Sequence, residues 1–222
     1  MVVELLVVNY MSSMFMLDSL GLALAISMGI IIFALGGLHG LNLLFLLIFF
    51  LVISVFATKY GIYSKKNMDI YENERSWKNV LSNGLIPTIG VILYHFSGNF
   101  IFIYVYIASV ASITADKFGS ELGVFDKPIF LWGLKEVKPG TSGAISLLGS
   151  LASLSGAFII GLAAIYLFQI TLTQAFLMGV IGYLGGFADS LFGVLEEKGI
   201  GNKFTTNFIC SVVGAVIAFF VF

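Results

Sequence analysis

The sequence predicts an all-α protein, a polytopic membrane bundle of seven or eight transmembrane helices. Of its 222 residues, 59% are hydrophobic and only 10% are charged. The mean hydropathy of +1.05 is far above that of soluble globular domains. Apolar runs of helical length also recur along the whole chain, with the charged residues gathered between them. We therefore expect one transmembrane domain over 1–222 in a multi-pass integral membrane protein, in the cell membrane if the source is prokaryotic.

The spans follow from the length of a helix that crosses a bilayer, about 20 residues. The first candidate is short enough to lie at the membrane interface, which would leave seven spans. The fourth contains Asn83-Gly84 and Pro87, so we expect a kink or break there. The candidate spans are 2–17, 20–37, 41–58, 79–97, 100–118, 142–168, 172–194 and 204–222.

Small residues mark the sixth span. Gly149, Ser153, Ala157 and Gly161 recur at intervals of four residues within 142–168. Rows of small residues let helix backbones approach closely in lipid. We therefore expect this helix at the centre of the bundle.

The basic residues predict the orientation. Three loops, at about 59–78, 117–141 and 195–203, contain all 11 lysines and arginines. Consecutive basic loops are separated by two predicted spans and an uncharged turn, so all of this charge falls on one side of the membrane. The positive-inside rule assigns that side to the cytoplasm and the N-terminus to the outside.

A first polar cluster lies where the fifth predicted span ends. Asp116 and Ser120 are four residues apart and share a helix face, whereas Glu121 joins them only if the helix loosens near Gly119. Ionisable groups at membrane depth are costly, which favours a functional role. Carboxylates beside phosphates are typical ligands of Mg²⁺. The alternative is a solvated ion pair of Asp116 or Glu121 with a loop lysine.

A second cluster is the segment Pro139-Gly-Thr-Ser-Gly143, which follows Lys138. Two glycines flank two hydroxyl groups at the predicted start of a helix, where free backbone N–H groups bind anions. The spacing differs from that of a Walker A loop. The alternative is a simple helix N-cap by Thr141 or Ser142.

Three more polar residues lie within or near predicted spans. Asp189 is close to the cytoplasmic end of the seventh span and needs a cation or hydrogen-bond donors. Asn83 and Asn207 are candidate contacts to the same site, although an interhelical hydrogen bond explains each of them equally well.

Other classes of site are disfavoured. The lone Cys210 excludes an intrachain disulfide and a cysteine-based metal site. The carboxylates have no accompanying histidine, which argues against zinc. The basic loops contain few aromatic residues, so nucleic-acid binding is not expected.

At these residues the chain resembles a known family. It is similar to the integral membrane family that contains the plant phytyl-phosphate kinase of tocopherol synthesis and its animal, bacterial and archaeal relatives. More distantly it resembles dolichol and phytol kinases and the CTP-using cytidylyltransferases that make CDP-lipids. It departs from the family pattern at Thr114 and Lys117, where Asn and Thr are usual. The matching segments are Arg75-Ser-Trp-Lys-Asn-Val-Leu-Ser-Asn-Gly84, Ala115-Asp-Lys-Phe-Gly-Ser-Glu-Leu-Gly123, Pro139-Gly-Thr-Ser-Gly-Ala-Ile-Ser-Leu-Leu-Gly149, Gly186-Phe-Ala-Asp-Ser-Leu-Phe-Gly193 and Asn202-Lys-Phe-Thr-Thr-Asn207.

The resemblance implies a Mg²⁺-dependent and CTP-dependent kinase that converts an isoprenyl monophosphate, of the phytyl or geranylgeranyl phosphate class, to the diphosphate. Its partners would be CTP, the isoprenyl phosphate and membrane lipids, and the sequence leaves a homo-oligomer open. The hypothesis assigns Mg²⁺ to Asp116, Glu121 and Asp189, and it adds Lys138 as a catalytic residue. The predicted binding residues are Arg75, Asn83, Lys117, Ser120, Gly140, Thr141, Ser142, Gly143, Ser146 and Asn207.

Two rival functions remain open at this point. A cytidylyltransferase would attack the α-phosphorus of CTP and make a CDP-lipid. A transporter of an anionic substrate would explain a broken span, but it predicts polar groups near the bilayer midplane. The predicted polar groups gather at one membrane face instead, which favours the enzyme.

Overall fold

The structure, a computed structural model, describes residue 10 and residues 13–72, 74–130 and 135–222. Its main elements are helices, as the sequence predicts. A 3-10 turn, Gly37–His39, leads into the second helix, and two short strands pair in antiparallel fashion, β1 Ile129–Phe130 and β2 Ala144–Ile145. The helices are α1 Ser19–Leu35, α2 Gly40–Lys59, α3 Ile62–Asn67, α4 Trp77–Ser97, α5 Ile101–Gly123, α6 Leu147–Phe168, α7 Leu172–Glu197 and α8 Lys203–Val221.

The polytopic membrane bundle is confirmed. Six of the described helices, α2 and α4 to α8, are long and apolar enough to cross a membrane by length and composition. Helix α1 is also apolar but has only 17 residues. The predicted first span, 2–17, lies largely outside the described residues. The expected number of seven or eight spans is therefore approximate: the described helices comprise six spans and the shorter α1.

The predicted break in the fourth span is wrong, because α4 runs without interruption through Pro87. Proline has no N–H to donate to the carbonyl of Asn83, so one hydrogen bond of the helix is lost. Packing of the buried side compensates: Gly84 is so close to α1 that a Cβ there would lie 2.5 Å from the Met28 sulfur. On the same helix, a Cβ at Gly90 would lie 3.4 Å from the Phe102 carbonyl oxygen of α5.

Helix α5, and not α6, lies at the centre of the bundle. Of its most apolar 18-residue window, 72% is buried, against 44% for α6. It packs against α2, α4, α6, α7 and α8. The small residues of α6 permit the close approach of helix backbones that the sequence predicts. A Cβ at Gly149 would lie 3.1 Å from the Gly123 Cα of α5. The row marks close contacts of α6 with its neighbours and not a central position.

The charged loops between the helices lie at one end of the bundle. Helices α2, α5 and α7 end there and α4, α6 and α8 begin there, and we call this the basic end. Thr58 near the end of α2 donates to Glu121 near the end of α5. At the opposite end, the Asn42 amide of α2 donates to the Leu167 carbonyl of α6 at 2.6 Å. The assignment of the basic end to the cytoplasm stays a prediction.

A first prediction concerns the α6–α7 contact. A Cβ at Gly161 would lie 2.5 Å from the carbonyl oxygen of Ala175, a backbone atom that cannot move aside freely. We expect Gly161→Val to destabilise the protein by about 1–3 kcal/mol, the usual cost of overpacking. The measurement is the unfolding midpoint in detergent. The control is Leu162→Val, at a neighbouring position that is 49% exposed; equal midpoints for the two variants would contradict the packing argument.

Candidate functional site

A polar cavity of about 290 Å³ lies at the basic end, among α5, α6, α7, α8 and the segment before α6. Many of the residues around it are glycine, serine or threonine, so the cavity presents hydroxyl and backbone groups. The structure brings nine of the predicted site residues to its wall. These are Asp116, Ser120, Gly140, Thr141, Ser142, Gly143, Ser146, Asp189 and Asn207.

The central feature of the cavity is a pair of carboxylates from two helices. Asp116 of α5 and Asp189 of α7 lie within hydrogen-bond reach of each other. The Oδ1 atom of Asp189 is buried and has no hydrogen-bond partner among the described residues. Two adjacent carboxylates repel each other unless a proton or a cation lies with them. The pair therefore has the ligand type of a cation site, and it has a buried carboxylate oxygen that a cation would neutralise.

Close packing of α5 on α7 holds this pair together. Gly186 is almost one turn before Asp189, and a Cβ there would lie 2.8 Å from the Ala115 Cβ and 3.0 Å from the Asp116 backbone nitrogen. A larger residue would push the two helices apart, so the glycine permits the carboxylates to meet.

Helix α8 supplies the remaining polar wall. Lys203, Thr206 and Asn207 lie on successive positions of one face and all line the cavity. Lys203 is close enough to attract both Asp116 and Asp189, and the Thr206 hydroxyl donates to the Lys203 carbonyl at 3.3 Å. The lysine therefore offsets part of the negative charge of the pair.

The predicted anion turn reaches the cavity, but it does not begin a helix. Gly140 and Gly143 adopt left-handed backbone angles with φ of +85° and +75°, and β2 separates the turn from α6. Helix α6 begins at Leu147 and not at 142, with the Ser146 hydroxyl accepting from the Gly149 N–H at 3.1 Å. The N-terminus of α6 is therefore capped by Ser146. The positive end of the α6 dipole does not lie at the turn 140–143.

Carboxylates already occupy both donors of Ser142 in this turn. The Ser142 N–H donates to Glu197 Oε1 at 3.0 Å, and the Ser142 hydroxyl donates to Glu196 Oε2 at 2.8 Å. The turn therefore binds oxyanions in this structure, although the oxyanions belong to the last turn of α7. A phosphate would have to displace them.

Asp126 supplies a further cap at the start of α6. Its Oδ2 accepts from the Leu148 N–H at 3.0 Å, and its Oδ1 accepts from the Lys127 N–H at 2.8 Å. These bonds lower the pKa of this exposed carboxyl. Asp126 does not line the cavity.

The structure separates Glu121 from the other two carboxylates. Helix α5 continues without loosening to Gly123, so a residue five positions after Asp116 points about 140° away from it. Glu121 accepts from Thr58 at 2.7 Å and forms ion pairs with Lys65 at 2.8 Å and Lys117 at 3.1 Å. Among the described residues, no three acidic, histidine or cysteine side chains form a metal cluster. The structure therefore offers a two-carboxylate site where the sequence predicted three.

Lys117 and Arg75 belong to the network around Glu121. Besides Glu121, Lys117 faces Glu72 at 3.8 Å. The Arg75 Nη2 donates to the Thr58 hydroxyl at 2.6 Å and to the Ser54 carbonyl at 3.1 Å. Burial lowers the pKa of Arg75, while the nearby Glu121 and Glu72 act in the opposite direction. Neither basic residue lines the carboxylate cavity.

Two more predicted residues lie away from the cavity. Lys138 is exposed, and its carbonyl accepts the Thr141 hydroxyl at 2.7 Å, so its contribution to the turn is through the backbone. Asn83 lines a second cavity, considered below.

Sequence reasoning missed several polar residues near the site. Lys203 is four positions before the predicted Asn207, a helical spacing that could have indicated it. Asn79 is likewise one turn before Asn83, and its Oδ1 accepts from the Asn207 amide at 3.5 Å. Nothing in the local sequence indicates that Glu196 and Glu197 reach Ser142, because that contact depends on how α7 packs against the turn.

The fold and the cavity define a multi-pass integral membrane protein with a carboxylate-containing polar site at one end of its bundle. The chain matches the family described as integral membrane protein DUF92 over residues 2–216, and it belongs to that family. It is similar to an uncharacterized membrane protein of Methanocaldococcus jannaschii, with 41% identity over 187 residues that cover 82% of this chain and 77% of that protein. No solved structure matches the chain.

The buried network gives a second prediction. Lys65 is 2% exposed, and its Nζ donates to Glu121 and to the carbonyls of Ala57 and Thr58. We expect Lys65→Met to lower the free energy of unfolding by about 3 kcal/mol, because it leaves a buried carboxylate and two carbonyls short of a donor. Thermal unfolding in detergent measures this. Lys66→Met, at the adjacent exposed lysine, should have little effect, and equal losses would contradict the assignment.

Proposed function

We propose that the protein is a CTP-dependent kinase that phosphorylates an isoprenyl monophosphate to the diphosphate at the cytoplasmic membrane face. The observation that carries the proposal is the Asp116–Asp189 pair in a polar cavity at the basic end of a membrane bundle. The resemblance to the phytyl-phosphate kinase family supplies the substrate class.

The site is suited to Mg²⁺. Asp116 and Asp189 provide carboxylate oxygens, and the unpartnered Oδ1 of Asp189 has an unused lone pair in a buried position. Mg²⁺ takes one or two carboxylates and completes its shell with water and substrate phosphate oxygens. When bound, the ion would neutralise phosphate charge, which is the main requirement of phosphoryl transfer.

The residues around the pair are suited to a polyphosphate. The turn 140–143 lines the cavity, and both the N–H and the hydroxyl of Ser142 donate to carboxylate oxygens, so this residue can bind an oxyanion. Lys203 brings positive charge to the same wall. We assign Ser142 and Lys203 to the CTP phosphates, with Glu196 and Glu197 withdrawing when the nucleotide binds.

The reaction does not require a strong general base. An isoprenyl monophosphate has its second pKa near 6, so its oxygen is already deprotonated at neutral pH. In the transfer, this oxygen forms the new bond to the terminal phosphorus of CTP, the β–γ bridging bond breaks, and CDP leaves. The chain's contribution is to hold two anions in line and to exclude water.

A third prediction tests the carboxylate pair. We expect Asp116→Asn and Asp189→Asn each to lower turnover of CTP with an isoprenyl phosphate about 100-fold or more, because each removes a carboxylate ligand of the Mg²⁺ that would neutralise the phosphates. The assay is diphosphate formation by purified protein with CTP and Mg²⁺. Asp126→Asn is the matched control, since this carboxylate lies at the same end but outside the cavity. Full activity in a folded Asp116→Asn or Asp189→Asn protein would refute the site.

A fourth prediction separates the kinase from a cytidylyltransferase. With CTP labelled at the γ-phosphorus, the kinase transfers the label to the lipid and releases CDP. With CTP labelled at the α-phosphorus, the lipid stays unlabelled. A labelled CDP-lipid together with released pyrophosphate would instead establish the cytidylyltransferase.

A further inference from the structure

A second cavity, of about 130 Å³, lies among α1, α2 and α4, on another side of α5. Its wall is almost wholly apolar, with contributions from residues such as Ala25, Met28 and Leu47. Its polar members, Arg75, Asn79 and Asn83, belong to the start of α4 and the residues just before it. The cavity therefore has an apolar body and a polar, basic end.

The polar end contains buried groups that lack partners. Arg75 is only 6% exposed, and its Nε–H has no hydrogen-bond acceptor among the described residues. The Oδ1 of Asn83 is also buried without a partner there. A buried polar atom without a partner costs about 1–3 kcal/mol, so a ligand that supplies the missing bonds is favoured. A phosphate suits Arg75, and rotation of the Asn83 amide would present its NH₂ group to the same ligand.

The apolar body reaches the lipid-facing surface. Ile48 of α2 lines the cavity and is 46% exposed, so this wall of the cavity is accessible from outside the protein. A chain that begins in the cavity can therefore continue into the bilayer, and the small volume of the cavity does not limit its length.

The two cavities meet at one hydrogen bond. Asn79 lines the apolar cavity, Asn207 lines the carboxylate cavity, and the Asn207 amide donates to Asn79 Oδ1 at 3.5 Å. This distance is beyond the usual 2.7–3.2 Å range of such bonds, so the bond is weak. This weak contact therefore joins one wall residue of each cavity.

We propose that the second cavity binds the acceptor lipid, a phosphate on a single apolar chain. Arg75 and Asn83 hold the phosphate, the chain leaves past Ile48 into the bilayer, and the Asn79–Asn207 contact opens to bring the phosphate to the carboxylate cavity. The identification of the lipid as a reaction substrate rests on the proposed function. The binding of a single-chain phosphate lipid does not.

The test is binding without turnover. Geranylgeranyl phosphate is titrated into purified protein in detergent without CTP or Mg²⁺, and the dissociation constant is compared with those of geranylgeraniol and a two-chain phosphatidic acid. We expect geranylgeranyl phosphate to bind at least tenfold more tightly than either. Equal affinity for the alcohol would overturn the phosphate contact, and equal affinity for phosphatidic acid would assign the cavity to bulk phospholipid.

A matched pair of variants locates the site. Ala25 of α1 lines the cavity, whereas Ala23 is exposed on the same helix. We expect Ala25→Phe to weaken geranylgeranyl phosphate binding at least tenfold and Ala23→Phe to leave it unchanged, with the unfolding midpoint measured for both. Asn83→Leu should reduce the preference for the phosphate over the alcohol. Unchanged binding in a folded Ala25→Phe protein would overturn the inference.

Kinetics distinguish this inference from the proposed function. If the kinase proposal is correct, Ala25→Phe raises the KM for the lipid and leaves the KM for CTP unchanged. If no turnover is seen with any isoprenyl phosphate but the wild-type protein binds the lipid and Ala25→Phe does not, the kinase proposal fails and the lipid site stands. Normal turnover and a normal lipid KM in Ala25→Phe would overturn the lipid site alone.

Discussion

The site at the basic end depends on the close approach of α5 and α7. Gly186 has no side chain, so α7 can lie against Ala115 and the backbone of Asp116. This contact brings the carboxylates of Asp116 and Asp189 within hydrogen-bond reach of each other. The pair is unfavourable by itself, because like charges repel most strongly where water is scarce. The surrounding packing must therefore hold it, and a bound cation would relieve it.

Beside this pair lies a second group of charged residues, which form ion pairs and hydrogen bonds with one another. Glu121 contacts Lys65, Lys117 and Thr58, and Arg75 contacts Thr58 in turn. Because these charges are paired or hydrogen-bonded, the cost of burying them at the end of a membrane bundle is reduced. Glu121 finds its partners within this group, whereas Asp189 retains an unpartnered oxygen and Arg75 an unpartnered Nε–H among the described residues. A structural cluster and a candidate ligand site thus lie on different faces of one helix.

The two cavities have complementary chemistry. One is polar and lies at the basic end, where a water-soluble nucleotide could enter. The other is apolar and includes the exposed Ile48. Asn79 and Asn207 contact each other where the two cavities meet. The proposed reaction joins a soluble and a lipid-borne phosphate, and this arrangement would let one substrate approach from water and the other from the bilayer.

The sequence by itself determined the membrane class, the helical fold, the collection of charge at one end and nine residues of the polar cavity, including both carboxylates of the central pair. Hydropathy, charge spacing and residue type act locally, so they can be read from the chain. The sequence did not determine that α5 is central, that α4 continues through Pro87, or that Glu121 points away from Asp116. It also could not pair Ser142 with Glu196 and Glu197, or Asn79 with Asn207. These features depend on which helix faces meet, and interhelical packing between residues far apart in the chain decides that.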